Sequence, residues 1–186
     1  GKCTVCGYIL SNPFLDVDSS SQYYDAVMWM YGEGITKGYN ATQYNIGGEC
    51  TRGQVVAFLW REAGCPSPKS GSCPFPDVNN QAYYYDAVTW ANEEGIVKGY
   101  NDGTFGPNNT VTRAQFVTFL WRMEGEPKAK LKNNPFTDVS EGDFYKAILW
   151  GNGKGIVLGY EDGTFRPDDP CTRGHVALFM YRNFVK

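Results

Sequence analysis

The sequence has few of the residues on which most enzymes depend. It has one histidine, His175, among 186 residues, which nearly excludes a histidine-based catalytic triad and a metal site with several histidine ligands. No serine lies in a nucleophile-elbow pattern, no phosphate-binding loop is present, and the EF-hand spacing for calcium is missing. Carboxylates are numerous, but they recur with a repeated unit, which suits binding or structure better than a glycosidase pair. We therefore expect no catalysis, no metal and no cofactor.

Long apolar runs and clusters of basic residues are also missing. No stretch is long and apolar enough to span a bilayer, and the net charge of −3 argues against nucleic acid as a partner. The composition, 42% hydrophobic and 20% charged, is that of an ordinary globular protein. No signal peptide is visible, and because the chain begins at Gly1 rather than at a methionine, we expect it to be a piece of a longer protein.

What the sequence does contain is one unit repeated three times. Segments of the form FxDV, at Phe14–Val17, Phe75–Val78 and Phe136–Val139, recur at a fixed spacing of 61 residues. A tryptophan and a Thr-Arg pair recur in the same register: Trp29, Trp90 and Trp150, and Thr51-Arg52, Thr112-Arg113 and Thr172-Arg173. Such a period is typical of a repeat architecture.

The repeats divide the chain into a tail, three units and two linkers. The tail is 1–12, the repeats are 13–64, 75–125 and 135–186, and the linkers are 65–74 and 126–134. In the middle repeat, apolar residues at helical spacing predict a helix near Tyr83–Glu94 that Gly95 ends. A loop with an Asp102-Gly103 turn follows, and a second helix begins after Thr112. We predict an all-α fold in which three helix-loop-helix repeats bury their apolar faces against one another.

Each second helix is predicted to begin at its threonine. Gln54 follows Thr51 by three residues, and Gln115 follows Thr112 in the same way. This spacing is typical of a capping box, in which the side chains of both residues bond to backbone N–H groups. The third repeat has His175 in place of the glutamine, so we expect a weaker box there.

An arginine occupies the first position of each of these helices, at Arg52, Arg113 and Arg173. The helix dipole disfavours a cation there by about 0.3–1 kcal/mol. A bound anion would explain the arginine, because free N–H groups at a helix N-terminus and a guanidinium both bind carboxylate or phosphate. The alternative is structural: an ion pair with the aspartate of an FxDV segment, or a side chain lying over the core. The residues alone do not decide between the two.

Taken together, these motifs resemble three S-layer homology repeats. The family pattern is FxDV, a helix with tyrosine and tryptophan, GIxxGY, DGTFxP, and a helix opening with TRAE or a variant, and it covers Pro13 to Val185 here. The resemblance implies a pseudo-threefold helical bundle with grooves between neighbouring repeats. It also implies that the grooves bind secondary cell-wall polysaccharide, commonly through an acidic pyruvylated sugar, and so anchor surface proteins to Gram-positive cell walls.

The resemblance assigns roles to three sets of residues. The arginines would bind the carboxylate of the pyruvyl group. The motif aspartates would take sugar hydroxyls or orient the arginine, and a loop-bracing role is equally open: Asp16, Asp77 and Asp138. The tryptophans would offer a stacking face for a sugar ring, or else pack in the core.

The sequence departs from the family pattern at two places. The motif glutamate is replaced by Gln54, Gln115 and His175. The first repeat has NATQYNIGG where the others have NDGTFGPNN and EDGTFRPDD, so it lacks the Asp-Gly turn and the proline. This departure argues against a working groove at the first repeat, and we expect one or two working sites rather than three.

Four of the six cysteines lie in the tail and in the first linker. Cys3 and Cys6 form a CxxC in the tail, which is half of a zinc site, but a local disulfide or an idle remnant is favoured because no second pair follows at ribbon spacing. Cys65 and Cys73 bracket the first linker and would close a small disulfide loop in an exported protein.

The other two cysteines, Cys50 and Cys171, occupy the repeat position that holds Val111 in the middle unit. A cysteine that alternates with valine behaves as a small buried apolar residue. We therefore expect buried thiols there rather than a bond between repeats.

The sequence thus predicts a non-catalytic, extracellular cell-wall anchoring module, a monomeric part of a larger surface protein. Its expected partner is a secondary cell-wall polysaccharide, with neither nucleic acid nor membrane insertion. The main alternative is a structural or adhesive protein-interaction module whose arginines pair internally. A glycan-processing enzyme is the third and weakest interpretation.

Overall fold

The computed structural model describes residues 11–130 and 133–186, and all the regular secondary structure in these residues is helical apart from three isolated bridges. The six helices are α1 Tyr24–Gly32, α2 Arg52–Glu62, α3 Tyr85–Glu93, α4 Arg113–Met123, α5 Tyr145–Gly153 and α6 Arg173–Phe184. Each repeat therefore contributes two helices, and the predicted all-α class is confirmed. Cys3 and Cys6 lie outside the described residues.

Two residues after the first helix of each repeat, a glycine in the left-handed region closes the helix C-terminus. Gly34, Gly95 and Gly155 have φ values of 71°, 71° and 74°. In the middle repeat the Gly95 N–H donates to the carbonyl of Asn92, and the Ile96 N–H donates to the carbonyl of Ala91. This is a Schellman arrangement, which pairs the last carbonyls of the helix and needs a residue that tolerates positive φ. The stop predicted at Gly95 is confirmed.

The second helices begin as the capping pattern predicts. The Thr51 hydroxyl accepts from the Gln54 N–H at 3.3 Å, and Gln54 Oε1 accepts from the Thr51 N–H at 3.0 Å. Thr112 and Gln115 form the same reciprocal box. In the third repeat Thr172 accepts from the His175 N–H at 3.3 Å, which is the hydroxyl half of the box.

The repeats close into a ring through their helices. The second helix of each repeat packs against the first helix of the next: α2 against α3, α4 against α5, and α6 back against α1. One continuous apolar core joins all three repeats, with Phe105, Phe116 and Phe165 among its largest buried side chains. The predicted packing of three repeats against one another is confirmed.

Three backbone hydrogen bonds form a closed cycle at the centre of this ring. The Cys50 N–H donates to the carbonyl of Cys171 at 3.2 Å, the Cys171 N–H to that of Val111 at 2.8 Å, and the Val111 N–H to that of Cys50 at 2.9 Å. All three residues are completely buried. Because an unpaired buried N–H costs about 1–3 kcal/mol, each repeat depends on both of the others.

The side chains at this position agree with the sequence expectation. Cys50 and Cys171 are buried free thiols, and burial raises the pKa of the Cys50 thiol to about 12. Cys65 and Cys73, at the two ends of the first linker, are also free thiols in this structure. The disulfide between them stays a prediction about the oxidised protein.

We predict that the amides of Cys50, Val111 and Cys171 exchange hydrogen only when the whole ring opens. Their protection free energies, measured by native-state hydrogen exchange, should lie within about 1 kcal/mol of the global free energy of unfolding. The Ser20 amide in an exposed turn is the matched comparison and should exchange far faster. Exchange of one of the three amides through a smaller opening would show that its repeat opens independently.

Candidate ligand-binding grooves

The three arginines are buried at the junctions between repeats. Arg52, Arg113 and Arg173 are 4%, 3% and 5% exposed. The Nε–H of each donates to the backbone carbonyl of an aromatic residue in the loop of the next repeat, at 2.8, 2.9 and 2.7 Å: Phe105, Phe165 and Tyr44. Each guanidinium carbon also lies 4.7–4.8 Å from the ring centre of that same aromatic residue, where cation–π attraction contributes about 0.5–2 kcal/mol.

The aspartate of the FxDV segment holds the same aromatic residue from the other side. Both oxygens of Asp77 accept backbone bonds, from the Phe105 N–H at 2.8 Å and the Gly106 N–H at 2.7 Å. Asp16 and Asp138 repeat the arrangement in their own loops. We call the arginine, the aromatic residue and the aspartate the loop clamp. In each clamp, the arginine of one repeat donates to the carbonyl of a buried aromatic residue in the next repeat. The aspartate of that next repeat accepts from the N–H of the same aromatic residue.

The loop clamp agrees with one form of the structural explanation, a side chain lying over the core, because each guanidinium lies over buried aromatic rings. The other form is not observed, since Arg52, Arg113 and Arg173 take part in none of the ion pairs among the described residues. The N–H groups at the helix start are also not free, because the Arg52 N–H donates to the carbonyl of Asn109 and the Gly53 N–H to that of Pro107, both at 2.9 Å. The expectation of an anion held by free N–H groups is therefore wrong, and loop carbonyls of the next repeat offset the helix dipole instead.

The loop of the first repeat keeps this geometry despite its different sequence. Tyr44 is completely buried, and Asp16 accepts from the N–H groups of Tyr44 and Asn45 at 2.8 and 2.6 Å. Asn40 Oδ1 accepts from the Thr42 N–H at 3.0 Å, an Asx turn that replaces the missing Asp-Gly turn. Loop geometry therefore gives no reason to exclude a groove formed by the first repeat.

Three grooves lie beside the clamps, one at each junction, and we name each after its arginine. The Arg52 groove, about 550 Å³, is lined by Arg52, Lys98, Tyr100, Gln115, Phe119, Trp121, Arg122, Glu126, Asp143, Phe144 and Lys146, among others. The Arg173 groove, about 360 Å³, is lined by Thr36, Lys37, Gln54, Phe58, Arg61, Tyr83 and Arg173. The Arg113 groove, about 210 Å³, is lined by Gln22, Tyr23, Arg113, Leu158, Tyr160, His175, Phe179 and Arg182.

Each groove holds a second arginine that sequence reasoning missed. The Nη1 groups of Arg61, Arg122 and Arg182 donate to the carbonyls of Ile35, Ile96 and Ile156, at 3.0, 3.4 and 3.2 Å. These bonds hold each second arginine in place while it lines the groove. The signal was present in the sequence, because these arginines recur with the same period as the Thr-Arg pairs.

The grooves differ in the rest of their charge. Lys37 in the Arg173 groove and Lys98 in the Arg52 groove are exposed lysines at equivalent loop positions, and Leu158 takes that position in the Arg113 groove. The Arg52 groove also contains the carboxylates of Glu126 and Asp143. The Arg173 and Arg52 grooves thus present at least three cations each, whereas the Arg113 groove presents two arginines.

The guanidinium groups keep hydrogen-bonding capacity at the bottom of the grooves. In the described part of the chain, Arg52 and Arg113 bond to the loop of the next repeat through Nε, and not through their other guanidinium nitrogens. Arg173 Nη2 is buried and has no partner within the described part of the chain. A buried donor without an acceptor is costly, so an acceptor supplied by a ligand would stabilise this site.

The motif tryptophans lie away from these grooves. Trp90 and Trp150 are 7% and 3% exposed and belong to the core, and the half-buried Trp29 packs against Tyr181 with ring centres 5.9 Å apart. None of the three lines a groove, so their stacking role gains no support from the geometry. Trp121, which the sequence analysis did not select, is the tryptophan that lines the Arg52 groove.

His175 sits in the Arg113 groove between aromatic rings. Its ring centre lies 5.9 Å from that of Phe179 and 6.1 Å from that of Tyr23. Burial, together with the charges of Arg113 and Arg182, lowers the pKa of His175 to about 4. The side chain is therefore neutral at neutral pH and does not replace the missing lysine.

Neither a metal site nor a membrane-spanning helix is found in the residues that the structure describes. No group of three or more histidine, cysteine, aspartate or glutamate residues is arranged to hold a metal ion in 11–130 and 133–186. In the same residues, the helices are too short to cross a bilayer.

The fold and grooves define a class of repeat module in which closely packed units present cation-lined grooves at their junctions. The S-layer homology domain matches residues 13–56, 74–117 and 135–177, more than half of the chain. The chain therefore belongs to the S-layer homology domain family. Domains of this family are cell-surface anchoring modules, so the chain is extracellular and associated with the cell wall or S-layer.

Curated relatives include surface proteins and polysaccharide-degrading enzymes. The cellulosome-anchoring protein of Acetivibrio thermocellus is 28% identical over 160 residues, which cover 81% of this chain and 35% of that protein. The surface layer protein of Brevibacillus choshinensis is 36% identical over 92 residues, covering 47% of this chain and 8% of that protein. An endoglucanase of a Bacillus species is 34% identical over 116 residues, covering 62% and 12%. The chain thus spans about a third or less of the length of these relatives.

We predict that Asp77→Ala lowers the free energy of unfolding by about 2–3 kcal/mol, because it leaves the N–H groups of Phe105 and Gly106 without their acceptor. Chemical denaturation would measure the change. Asp168→Ala removes the same charge from an exposed loop position and should cost less than about 0.5 kcal/mol. Equal effects of the two substitutions would mean that the loop clamp contributes little to stability.

We predict that His175 makes the protein less stable as the pH falls from about 6.5 towards 4. Its pKa in the folded state is about 4, so the unfolded state binds the proton more readily and gains stability across that range. The free energy of unfolding should fall by an amount on the order of 1 kcal/mol, a value reduced because His175 is partly exposed to solvent. NMR titration of the single histidine gives the pKa, and His175→Gln, the residue of the other two repeats, should flatten the dependence. An unshifted pKa near 6.5 would contradict this.

Proposed function

We propose that the chain is a non-catalytic cell-wall anchoring module that binds an acidic secondary cell-wall polysaccharide in the grooves between its repeats. The observation that carries this proposal is that cations cluster in the grooves although the loop contacts between the repeats are already complete without a ligand. The loop clamp takes one donor of each buried arginine, and the other guanidinium nitrogens remain at the bottom of the groove. A carboxylate is the ligand that such an arrangement favours.

The expected ligand group is the carboxylate of a pyruvyl ketal on the glycan. A guanidinium at the base of a groove and a lysine at its rim would contact one carboxylate from two directions. Because the groove arginines are partly withdrawn from water, such charged hydrogen bonds contribute more than they do at an open surface. Membership of a family of anchoring modules, and the similarity to the cellulosome-anchoring protein, agree with this role.

The grooves are unequal, and we expect two of them to work. The Arg52 and Arg173 grooves carry the loop lysine and are the larger pair. The Arg113 groove is the smallest, has Leu158 in place of the lysine, and contains a neutral His175. This ranking retains the first repeat as part of a working site, against the expectation from its loop sequence.

Lysine variants test the proposal better than arginine variants, because the arginines also hold the loops. Lys37→Leu and Lys98→Leu install the residue that the third repeat already carries, so both should fold. In calorimetric titration with a pyruvylated wall glycan, each should weaken one class of sites about fivefold to tenfold, as expected for the loss of one charged hydrogen bond. Lys154→Leu, at an exposed position outside the grooves, is the control.

Two results would overturn the proposal. Equal binding of the same glycan after removal of its pyruvyl groups would exclude the carboxylate as the recognised group. Absence of glycan binding by the folded wild-type protein would favour the alternative, a module that contacts other proteins of the surface. Release of reducing sugar during the titration would instead indicate a glycan-processing enzyme.

A further inference from the structure

One position at the mouth of each groove carries a different residue in each repeat. It precedes the aromatic residue at the start of the first helix and is Gln22 in the Arg113 groove, Tyr83 in the Arg173 groove and Asp143 in the Arg52 groove. A position required by the fold would tolerate little variation in size and charge. This position varies from an amide to a phenol to a carboxylate, so its side chain is set by something other than the packing of the repeat.

Tyr83 is a large side chain that the core does not need. It is 59% exposed, while its neighbour Tyr84 is half buried. The Tyr84 ring meets it edge to face, with centres 5.0 Å apart and an interplanar angle of 74°. Tyr84 in turn lies close to Gly53, where an added Cβ would come within 3.0 Å of its ring. The Tyr83 ring therefore has one aromatic neighbour for support while most of its surface faces solvent.

The groove beside this ring is uniformly positive. Arg173, Arg61 and Lys37 line it, and none of its described lining residues carries a carboxylate. In contrast, the wider Arg52 groove has Asp143 at the equivalent mouth position and Glu126 nearby. Tyr83 lines the same groove as Arg61 and Arg173. Burial raises the pKa of Tyr83, and the charges of Arg61 and Arg173 act against that rise.

We propose that Tyr83 forms a second sugar subsite in the Arg173 groove, where its ring stacks on the pyranose that follows the acidic sugar. This inference rests on the proposed function. A pyranose has one face made of C–H groups, which packs on an aromatic ring while its hydroxyls stay in contact with water and polar side chains. Lys37 and Gln54 are among the polar residues that line the same groove. The Arg173 groove thus binds two consecutive sugars.

The test compares a pyruvylated monosaccharide with a disaccharide that carries the pyruvyl group on its terminal sugar. Calorimetry on the wild-type protein should show a tighter class of sites for the disaccharide, by about threefold to tenfold, as expected for one aromatic stacking contact. Tyr83→Gln, which installs the residue of the first repeat, should remove this gain and leave the monosaccharide affinity unchanged. Tyr83→Trp should retain it. Tyr39→Gln, at an exposed tyrosine outside the groove lining, should have no effect.

Saturation-transfer NMR provides a second readout. Irradiation of the aromatic ring protons of the protein should transfer magnetisation to the ring protons of the second sugar, and this transfer should be weaker in Tyr83→Gln than in the wild-type protein. If the monosaccharide binds but Tyr83→Gln leaves the disaccharide gain intact, the subsite is wrong and the proposed function stands. If neither sugar binds to the folded protein, both are wrong.

Discussion

The arrangement of the three repeats depends on three backbone hydrogen bonds, each donated by one repeat to another. A cycle of Cys50, Val111 and Cys171 is complete only when three units are present, because each residue donates to one partner and accepts from the other. Two units would leave a buried N–H and a buried carbonyl without partners, at about 1–3 kcal/mol each. Closure at the centre also brings the N-terminus of each second helix against the loop of the next repeat. The junctions, and therefore the grooves, follow from that closure.

The arginine that follows each capping threonine is explained by this junction before any ligand is considered. Its Nε–H holds a loop carbonyl, its guanidinium lies over the aromatic ring of the same residue, and an aspartate of the neighbouring repeat holds that residue's N–H. Arginine suits the task because its planar fork can use one nitrogen for structure and present the others elsewhere. A lysine carries all its donors on one nitrogen, so it cannot place one nitrogen on the loop carbonyl and another elsewhere in the groove. The cation is thus tolerated at the helix start for a structural reason, and its other nitrogens are left for the proposed ligand.

Much of the local structure could be predicted from the sequence, because its causes lie within a few residues of one another. The Thr51–Gln54 box, the stop at Gly95 and the buried thiols of Cys50 and Cys171 depend on spacing or on comparison between repeats. The junctions could not be predicted, since Arg52 and its acceptor Phe105 are 53 positions apart and nothing local links them. For the same reason the helix N-termini were expected to be open. The loop of the first repeat misled because an asparagine turn replaces the aspartate-glycine turn and still brings Tyr44 into the loop clamp.

The three repeats agree at the positions that hold the fold together and differ at positions that face the grooves. The positions of the loop clamp hold an arginine, an aromatic residue and an aspartate in all three repeats, and the central position holds cysteine or valine of similar size. The positions that face the grooves differ in charge and shape: Lys37, Lys98 and Leu158, and Gln22, Tyr83 and Asp143. Because the framework is satisfied without these side chains, they can change without loss of the fold. A threefold scaffold thereby supports three unequal grooves, and under the proposed function the affinity for a long glycan depends on how many grooves one polymer occupies at the same time.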